Sequence, residues 1–581
     1  MPCFIDWMLV RFMKRPRLRY LSLFVFVLIL GSGIALGATI QSSFGEVAVA
    51  EVDFAAADSS NIHATLQRPT YATDSNPLPG VVVIHGSLQS KEWLMSFGIE
   101  LSRRGYVVLT IDANGHGNSD DGTGAGAAAL EYIADLSYVN SSSLGLVGHS
   151  MGGGISWRAI NQSEVSVRAL VLVGSWVRAD ANTTFPSNLL ITVGDFDSLF
   201  NYQDNLDVLS DVFGVSDVEE GTTYGSFKDG TARRVVISRT NHLFETIDPE
   251  IVSETTQWMQ NSLKGGVEDE HWIDSNQLIY GWWLVGGFIA TSGLVLTIFP
   301  LITILLSTQL FNDLRDRPAT EHSVSKKEYF GFGIIYGLIS IGTFYPLLGL
   351  GAFIPFPQSY GPSISLWILG SALISLLVLR KILMRKNREE LSWGKLWRLD
   401  TEEASSKIKL MKFFVLAVLV VVWLYAWTLL VDLGLALDFR CFLPGMNDLT
   451  VSRSLFVPIY SIVFSIYFLI EGMWFVGLLR PRNSEPWYKG QLIWSSSAVF
   501  MKCIPYVILI SIELGIGLLT GVAVIPGIIG YSFLFFYAFL PWFAVGTIIN
   551  VWSYRETNNY YLGALINGLF FGWIIATILA F

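Results

Sequence analysis

The chain has 581 residues, of which 52% are hydrophobic, 14% aromatic and 15% charged, with a formal net charge of −10. That balance points to a membrane protein, and the acidic charge argues against nucleic acid as a partner. The three cysteines, Cys3, Cys441 and Cys503, are widely scattered, which excludes a disulfide framework and a cysteine-rich metal centre. No cofactor or metal is expected.

Residues 1–19 form a basic tail, with Arg11, Lys14, Arg15, Arg17 and Arg19, ahead of the apolar run Tyr20–Ile40. Small residues at Ala35-Leu36-Gly37 resemble a signal-peptide cleavage site, but the run is long for that purpose and an uncleaved transmembrane anchor is expected. From Glu46 the pattern changes. Val81 to Ile84 is a β-branched run suited to a buried parallel strand, and it ends in His85-Gly86-Ser87-Leu88. Lys91 to Arg104 carries apolar residues at helical spacing. Tyr106 to Ile111 is the next strand, ending in the loop Asp112 to Asp120.

The stretch Leu144 to Gly154 follows, a short apolar strand running into Gly148-His149-Ser150-Met151-Gly152 and then a helix. Glycines flank the serine because a sharp strand-to-helix turn leaves no room for a Cβ, and that turn exposes the Ser150 hydroxyl as a candidate nucleophile. Further strands are expected at Arg168–Val173, Leu189–Val193 and Arg234–Ser238. Strands alternating with helices predict the α/β class with a doubly wound, mostly parallel sheet.

These pieces resemble the α/β-hydrolase superfamily, and within it the dienelactone-hydrolase-like and small serine esterase branches. The matching segments are His85-Gly86, the Asp112 to Ser119 loop and the Gly148 to Gly152 elbow, and the likeness covers roughly 46–264. The resemblance implies a triad in the order Ser, acid, His. The acid is Asp197, preferred by spacing over Asp195, and the base is His242. It also implies oxyanion donors at the backbone N–H of Met151 and of Ser87 or Leu88. Each has a plain structural rival. An aspartate after a strand commonly caps the next helix, and His85, His116 and His149 read as structural turn residues. His271, in the linker, reads as solvated.

Only Gly174 to Ser187 separates two strands where lipases of this fold often insert a lid, so the site is expected to be open or covered by something else. The longer excursion Leu199–Thr231, glycine-rich and aromatic at Gly221–Gly230, is equally consistent with a pocket wall and with a surface loop.

An acidic linker, 265–277, leads to a multi-pass membrane domain, 278–581, of about eight helices. Its expected spans are Leu278–Leu306, Tyr329–Phe353, Ile364–Leu383, Phe413–Leu437, Leu455–Leu479, Leu492–Leu519, Val522–Ile549 and Tyr561–Phe581. Pro505, Pro526 and Pro541 predict kinks or re-entrant turns. With nine spans, the N-terminal basic cluster, Lys326 and Lys327, Arg380 to Arg388, and Arg480, Arg482 and Lys489 all fall on one side, which makes it cytoplasmic. The α/β domain is then extracytoplasmic. It is also strongly acidic, with 31 acidic and 12 basic residues between Glu46 and Asp274.

Among intramembrane charges, Glu471 and Lys502 are expected at similar depth on antiparallel helices, as a structural ion pair ahead of a transport site. Glu513 shares the Lys502 face nearer the outer surface. The expected function is a membrane-anchored serine hydrolase cleaving an ester, thioester or amide, with a small-molecule or lipid-like acyl substrate. The alternatives are a transporter-like protein with a hydrolase-like binding domain, and a non-catalytic scaffold.

Overall fold

A computed structural model describes residues 16–200, 202, 209–315, 325–387, 403–439, 445–478 and 487–581. Cys3, Cys441, Arg11, Lys14, Arg15, Arg388, Arg480, Arg482 and part of the Leu199–Thr231 excursion lie outside these residues.

A first helix, α1 (Pro16–Gln41), leads into eight strands: β1 (Val47–Ala55), β2 (Asn61–Pro69), β3 (Leu78–Ile84), β4 (Val107–Ile111), β5 (Val139–His149), β6 (Ala169–Val173), β7 (Leu189–Gly194) and β8 (Arg233–Ser238). They form one sheet in the order β1-β2-β4-β3-β5-β6-β7-β8. β1 and β2 pair antiparallel, as do β2 and β4, and every pairing from β4 to β8 is parallel. The central strands are apolar on both faces because helices cover both. Val81 to Ile84 and all of β6 are buried. The covering helices are α2 (Met95–Ser102), α3 (Ala125–Ala134), α4 (Met151–Gln162) and α5 (Pro249–Lys264). Asp248 caps α5 by accepting from the N–H groups of Glu250 and Ile251, and Gly265 closes it in the left-handed region.

The remaining helices are apolar: α6 (Tyr280–Leu305), α7 (Lys326–Gly342), α8 (Phe344–Gly351), α9 (Gly361–Asn387), α10 (Glu403–Leu435), α11 (Val457–Gly472), α12 (Trp487–Thr520), α13 (Leu534–Thr557) and α14 (Tyr561–Ile578). Among the described residues, nine helical segments are long and apolar enough to cross a membrane. Most follow the hydropathy runs closely, and α12 and α13 continue through Pro505 and Pro541. The eighth span differs. It begins at Ile529 and not at Val522, because Gly521 at φ +69° ends α12 and the chain then runs along the loops after β3 and β7 before α13 starts. The third span is also broken, into α7 and α8.

Close backbone contacts hold the apolar helices to one another, and polar groups tie them to the α/β part. A Cβ on Gly33 of α1 would stand 2.3 Å from the Ala290 nitrogen of α6, so these two spans touch backbone to backbone. Glu100 of α2 accepts from the N–H groups of Ile279 (2.5 Å) and Tyr280 (2.9 Å), which caps α6 with a carboxylate from the sheet layer. On the other side Arg453 is fully buried. It donates to the carbonyls of Gly115 (2.9 Å) and Gly117 (2.8 Å) in the loop after β4, and to that of Leu579 (2.5 Å) beyond α14. A buried guanidinium is tolerable only when its donors are so occupied.

Candidate active site

Ser150 occupies the turn between β5 and α4 at φ 53°, ψ −117°. A Cβ on Gly152 would lie 2.1 Å from the Ile84 carbonyl oxygen, and one on Gly148 would lie 2.5 Å from that of Gly152. The flanking glycines therefore let β5, α4 and the end of β3 close on the serine. Asp197 follows β7 and His242 follows β8, so three loops at the carboxyl ends of parallel strands converge, the usual location of sites in such sheets.

His242 Nε2 lies 3.0 Å from Ser150 Oγ, and Nδ1 lies 2.8 Å from Asp197 Oδ2. The other Asp197 oxygen accepts from the N–H groups of Leu199 (2.6 Å) and Phe200 (3.1 Å), which fixes the carboxylate plane. Asp195 points elsewhere: its Oδ2 accepts from Arg239 (2.7 Å), which also donates to the Leu518 carbonyl (2.7 Å). Met151 opens α4, so its N–H belongs to a first turn without intrahelical partners. Ser87 and Leu88 follow Gly86, where a Cβ would touch the Ser150 Cβ at 3.1 Å, and Leu88 sits at φ 58°.

Sequence reasoning missed a second acid. Glu245, fully buried, places Oε2 3.3 Å from His242 Nδ1 and 3.3 Å from His149 Nε2, while Oε1 accepts from the Gly194 N–H at 2.7 Å. The signal was the spacing His242-x-x-Glu245, since a 3₁₀ turn at Phe244–Ile247 puts residues three apart on one side. His149 also has Nδ1 3.0 Å from Gln89 Oε1. His85 is held by the Ala113 N–H (3.0 Å) and Gly86 carbonyl (2.7 Å), and His116 by the Asn114 carbonyl (3.0 Å). His271 stacks on Tyr71, ring centroids 3.7 Å apart. His149, His242 and Glu245 offer ligand atoms within 4.8 Å of one another. A metal there would have to displace the hydrogen bonds just described, so this donor set fits an ion poorly.

Burial alone would push the His242 imidazole down, but Asp197 and then Glu245 outweigh it and raise it to about 10. Burial, with the adjacent Glu245 charge, raises Asp197 to about 6. Glu245 runs the other way, to about 2. Its burial is more than offset by hydrogen bonds to His149 and His242. An imidazolium cannot accept a proton from Ser150, so activity should rise with pH through the His242 value. Glu245→Gln removes one of the charges that favour the imidazolium. The midpoint of a kcat/KM–pH profile is expected to move to lower pH, and an unchanged midpoint would show that Glu245 does not act on His242.

The roof of the site comes from the membrane helices. Tyr531 donates to the Ser87 carbonyl (3.2 Å) and meets the His242 ring edge-on at 6.0 Å, and the Gly527 N–H donates to the Ser198 carbonyl (2.6 Å). Glu513 of α12 accepts from Tyr537 at 2.5 Å and is hydrogen-bonded to Asn241, the neighbour of His242. The segment between α12 and α13 thus covers the loops where a lid is absent. Of the Leu199–Thr231 excursion, Phe200 reaches the site, 5.4 Å from the His242 ring, whereas Tyr224 pairs along β8.

Residues 75–202 match the family model described as serine aminopeptidase, S33. A bis(hydroxyethyl) terephthalate hydrolase of Streptomyces coelicolor is 33% identical over 117 residues, 19% of this chain and 37% of the relative. This part of the chain belongs to the α/β-hydrolase superfamily. Among solved structures, an esterase of Pyrococcus furiosus is similar at 13% identity and TM-score 0.30, covering 38% of this chain and 96% of that one. An α/β-hydrolase of Penicillium sp. sh18 is similar at 12% identity and TM-score 0.29, covering 37% and 99%. The matched stretch spans little more than a third of the curated relative, and among the described residues it is followed here by eight further apolar spans.

Proposed function

We propose that the protein is a membrane-anchored serine hydrolase that cleaves an ester, thioester or amide outside the cytoplasm. The observation that carries this reading is the continuous hydrogen-bonded line from Ser150 through His242 to Asp197. In the active form His242 holds a proton on Nδ1, directed at Asp197, and its free Nε2 takes the Ser150 proton as Oγ attacks the carbonyl carbon. The resulting oxyanion sits at the N–H groups of Met151 and of Ser87 or Leu88. His242 then gives its proton to the leaving group, the acyl-enzyme forms, and water activated by the same imidazole releases the acid and restores Ser150. No cofactor enters these steps. The hydrolase region occupies 46–264, the linker 265–277 and the membrane domain 278–581. The basic loops support a cytoplasmic N-terminal tail, with the hydrolase region on the opposite side.

Fluorophosphonate labelling of the purified protein tests the assignment. Wild type is expected to label and Ser150→Ala to lose the label. A well-folded wild type that does not label, or a Ser150→Ala variant that still does, would overturn it.

A further inference from the structure

An apolar way leads out of the roofed site. A cavity of about 280 Å³ begins at Ser87, Leu88 and Gln89 on one side and at Leu243 and Phe244 on the other, the loops that flank Ser150 and His242. Its walls beyond that mouth are side chains of the membrane helices: Ile364 of α9, Ile510 of α12, Ala538 to Trp542 of α13, and Phe571 and Ile574 of α14. Ile510 lies ten residues before Thr520, where α12 ends beneath the hydrolase region. At ~1.5 Å per residue the cavity therefore reaches ~15 Å along the span, about half of the ~30 Å hydrocarbon core. That is the depth of one leaflet, and so the length of a lipid acyl chain. The volume lies at the lower end for ligand pockets and suits one chain.

A second cavity, about 600 Å³, lies between α6 and α13 and shares Pro541 and Trp542 with the first. Phe288, on its rim, is 65% exposed on the face of the bundle that meets lipid. Trp542, itself buried, is the partition between the two spaces. The two adjoining spaces give a lateral route from the bilayer toward Ser150 when the Trp542 indole moves aside.

We propose that the membrane domain is the acyl-binding half of the active site, and that the substrate is a bilayer-resident ester whose single long acyl chain fills the cavity of α9, α12, α13 and α14. The proposal rests on the hydrolase reading above. The oxyanion of the Ser150 adduct is held by the N–H of Met151 and of Ser87 or Leu88, and Ser87 and Leu88 line the cavity mouth, so the acyl chain on the adjoining carbon enters it. An apolar chain gains by replacing contact with water, and here the chain never leaves an apolar surround as it passes from lipid to cavity.

The test uses the full-length protein and p-nitrophenyl esters of two, four, eight and twelve carbons. Wild-type kcat/KM is expected to rise with acyl length by about tenfold or more, and dodecanoate turnover to follow its mole fraction in mixed micelles and not its bulk concentration. Ala538→Trp is expected to cut the dodecanoate-to-acetate ratio by about 100-fold, and Trp542→Ala to shift the optimum to longer chains. If Ala538→Trp fails to fold, the wild-type series and Trp542→Ala still decide. Ser150 labelling with no preference for long chains would overturn the acyl cavity and leave the hydrolase reading standing. So would a length dependence found only in the alcohol of alkyl acetates. Absence of Ser150 labelling would remove the hydrolase reading first.

Discussion

Replacing His242 by alanine is expected to lower kcat/KM for an accepted ester by about 10⁴-fold or more. Among the described residues the imidazole is the group hydrogen-bonded to Ser150 Oγ that can take its proton, at 3.0 Å. Serine and histidine act as one unit, so a Ser150→Ala/His242→Ala double variant should be scarcely worse than either single one. Additive losses would show two independent contributions and a different mechanism. The acid is tested in the same assay. Asp197→Asn should cost about 10³–10⁴-fold, because an amide facing Nδ1 favours the wrong tautomer. Asp195→Asn should cost far less, since that carboxylate is turned to Arg239 and the membrane segment at Leu518. Comparable losses in the two variants would reverse this assignment. Because Glu245 also faces Nδ1, Asp197→Asn could be softened by a residual negative charge, and the Asp197→Asn/Glu245→Gln pair measures how much.

Lys502→Met is expected to destabilise the membrane domain by ~3–5 kcal/mol, seen as a marked fall in melting temperature in detergent. Lys502 and Glu471 form an ion pair in which both side chains are about 1% exposed. The pair is embedded in further contacts. Glu471 accepts from Thr547 (3.1 Å) and Asn550 (3.4 Å), and the ammonium lies 4.4 Å from the centroid of Phe543. Removing only the lysine leaves a carboxylate stranded among apolar helices, which is the costly case. Removing both charges, as Lys502→Met/Glu471→Leu, should recover most of the loss, because a buried pair seldom outperforms well-packed apolar side chains. A double variant as unstable as the single one would mean that the pair organises α11, α12 and α13 beyond mutual neutralisation.

Local patterns carried much of this protein. The elbow could be read at Gly148 to Gly152 because backbone crowding permits few residue types there. The spans could be read because a bilayer demands long apolar runs whatever their neighbours. Even the Glu471–Lys502 pair followed from helical rise and residue count. Glu245 was harder, since an acid three residues after a histidine is common and acquires meaning only when a 3₁₀ turn and the end of β7 bring it to Nδ1. The start of the eighth span was misjudged for a related reason. Val522 to Ile525 is apolar enough for a helix, yet the ends of α12 and α13 must be joined across the loops that hold Ser198 and Asp195.

Composition and periodicity thus specified an α/β sheet with an elbow serine, a candidate acid and base in order, and a set of membrane helices, because each is a property of a short window of chain. Nothing in a short window could state that Tyr531 and Glu513 of the membrane helices lean on the loops around His242, or that α9, α12, α13 and α14 leave an apolar space beneath Ser87. Those features are made of residues hundreds of positions apart. They depend on contacts such as those of Arg453 and Glu100, which tie the apolar helices to the α/β part of the chain.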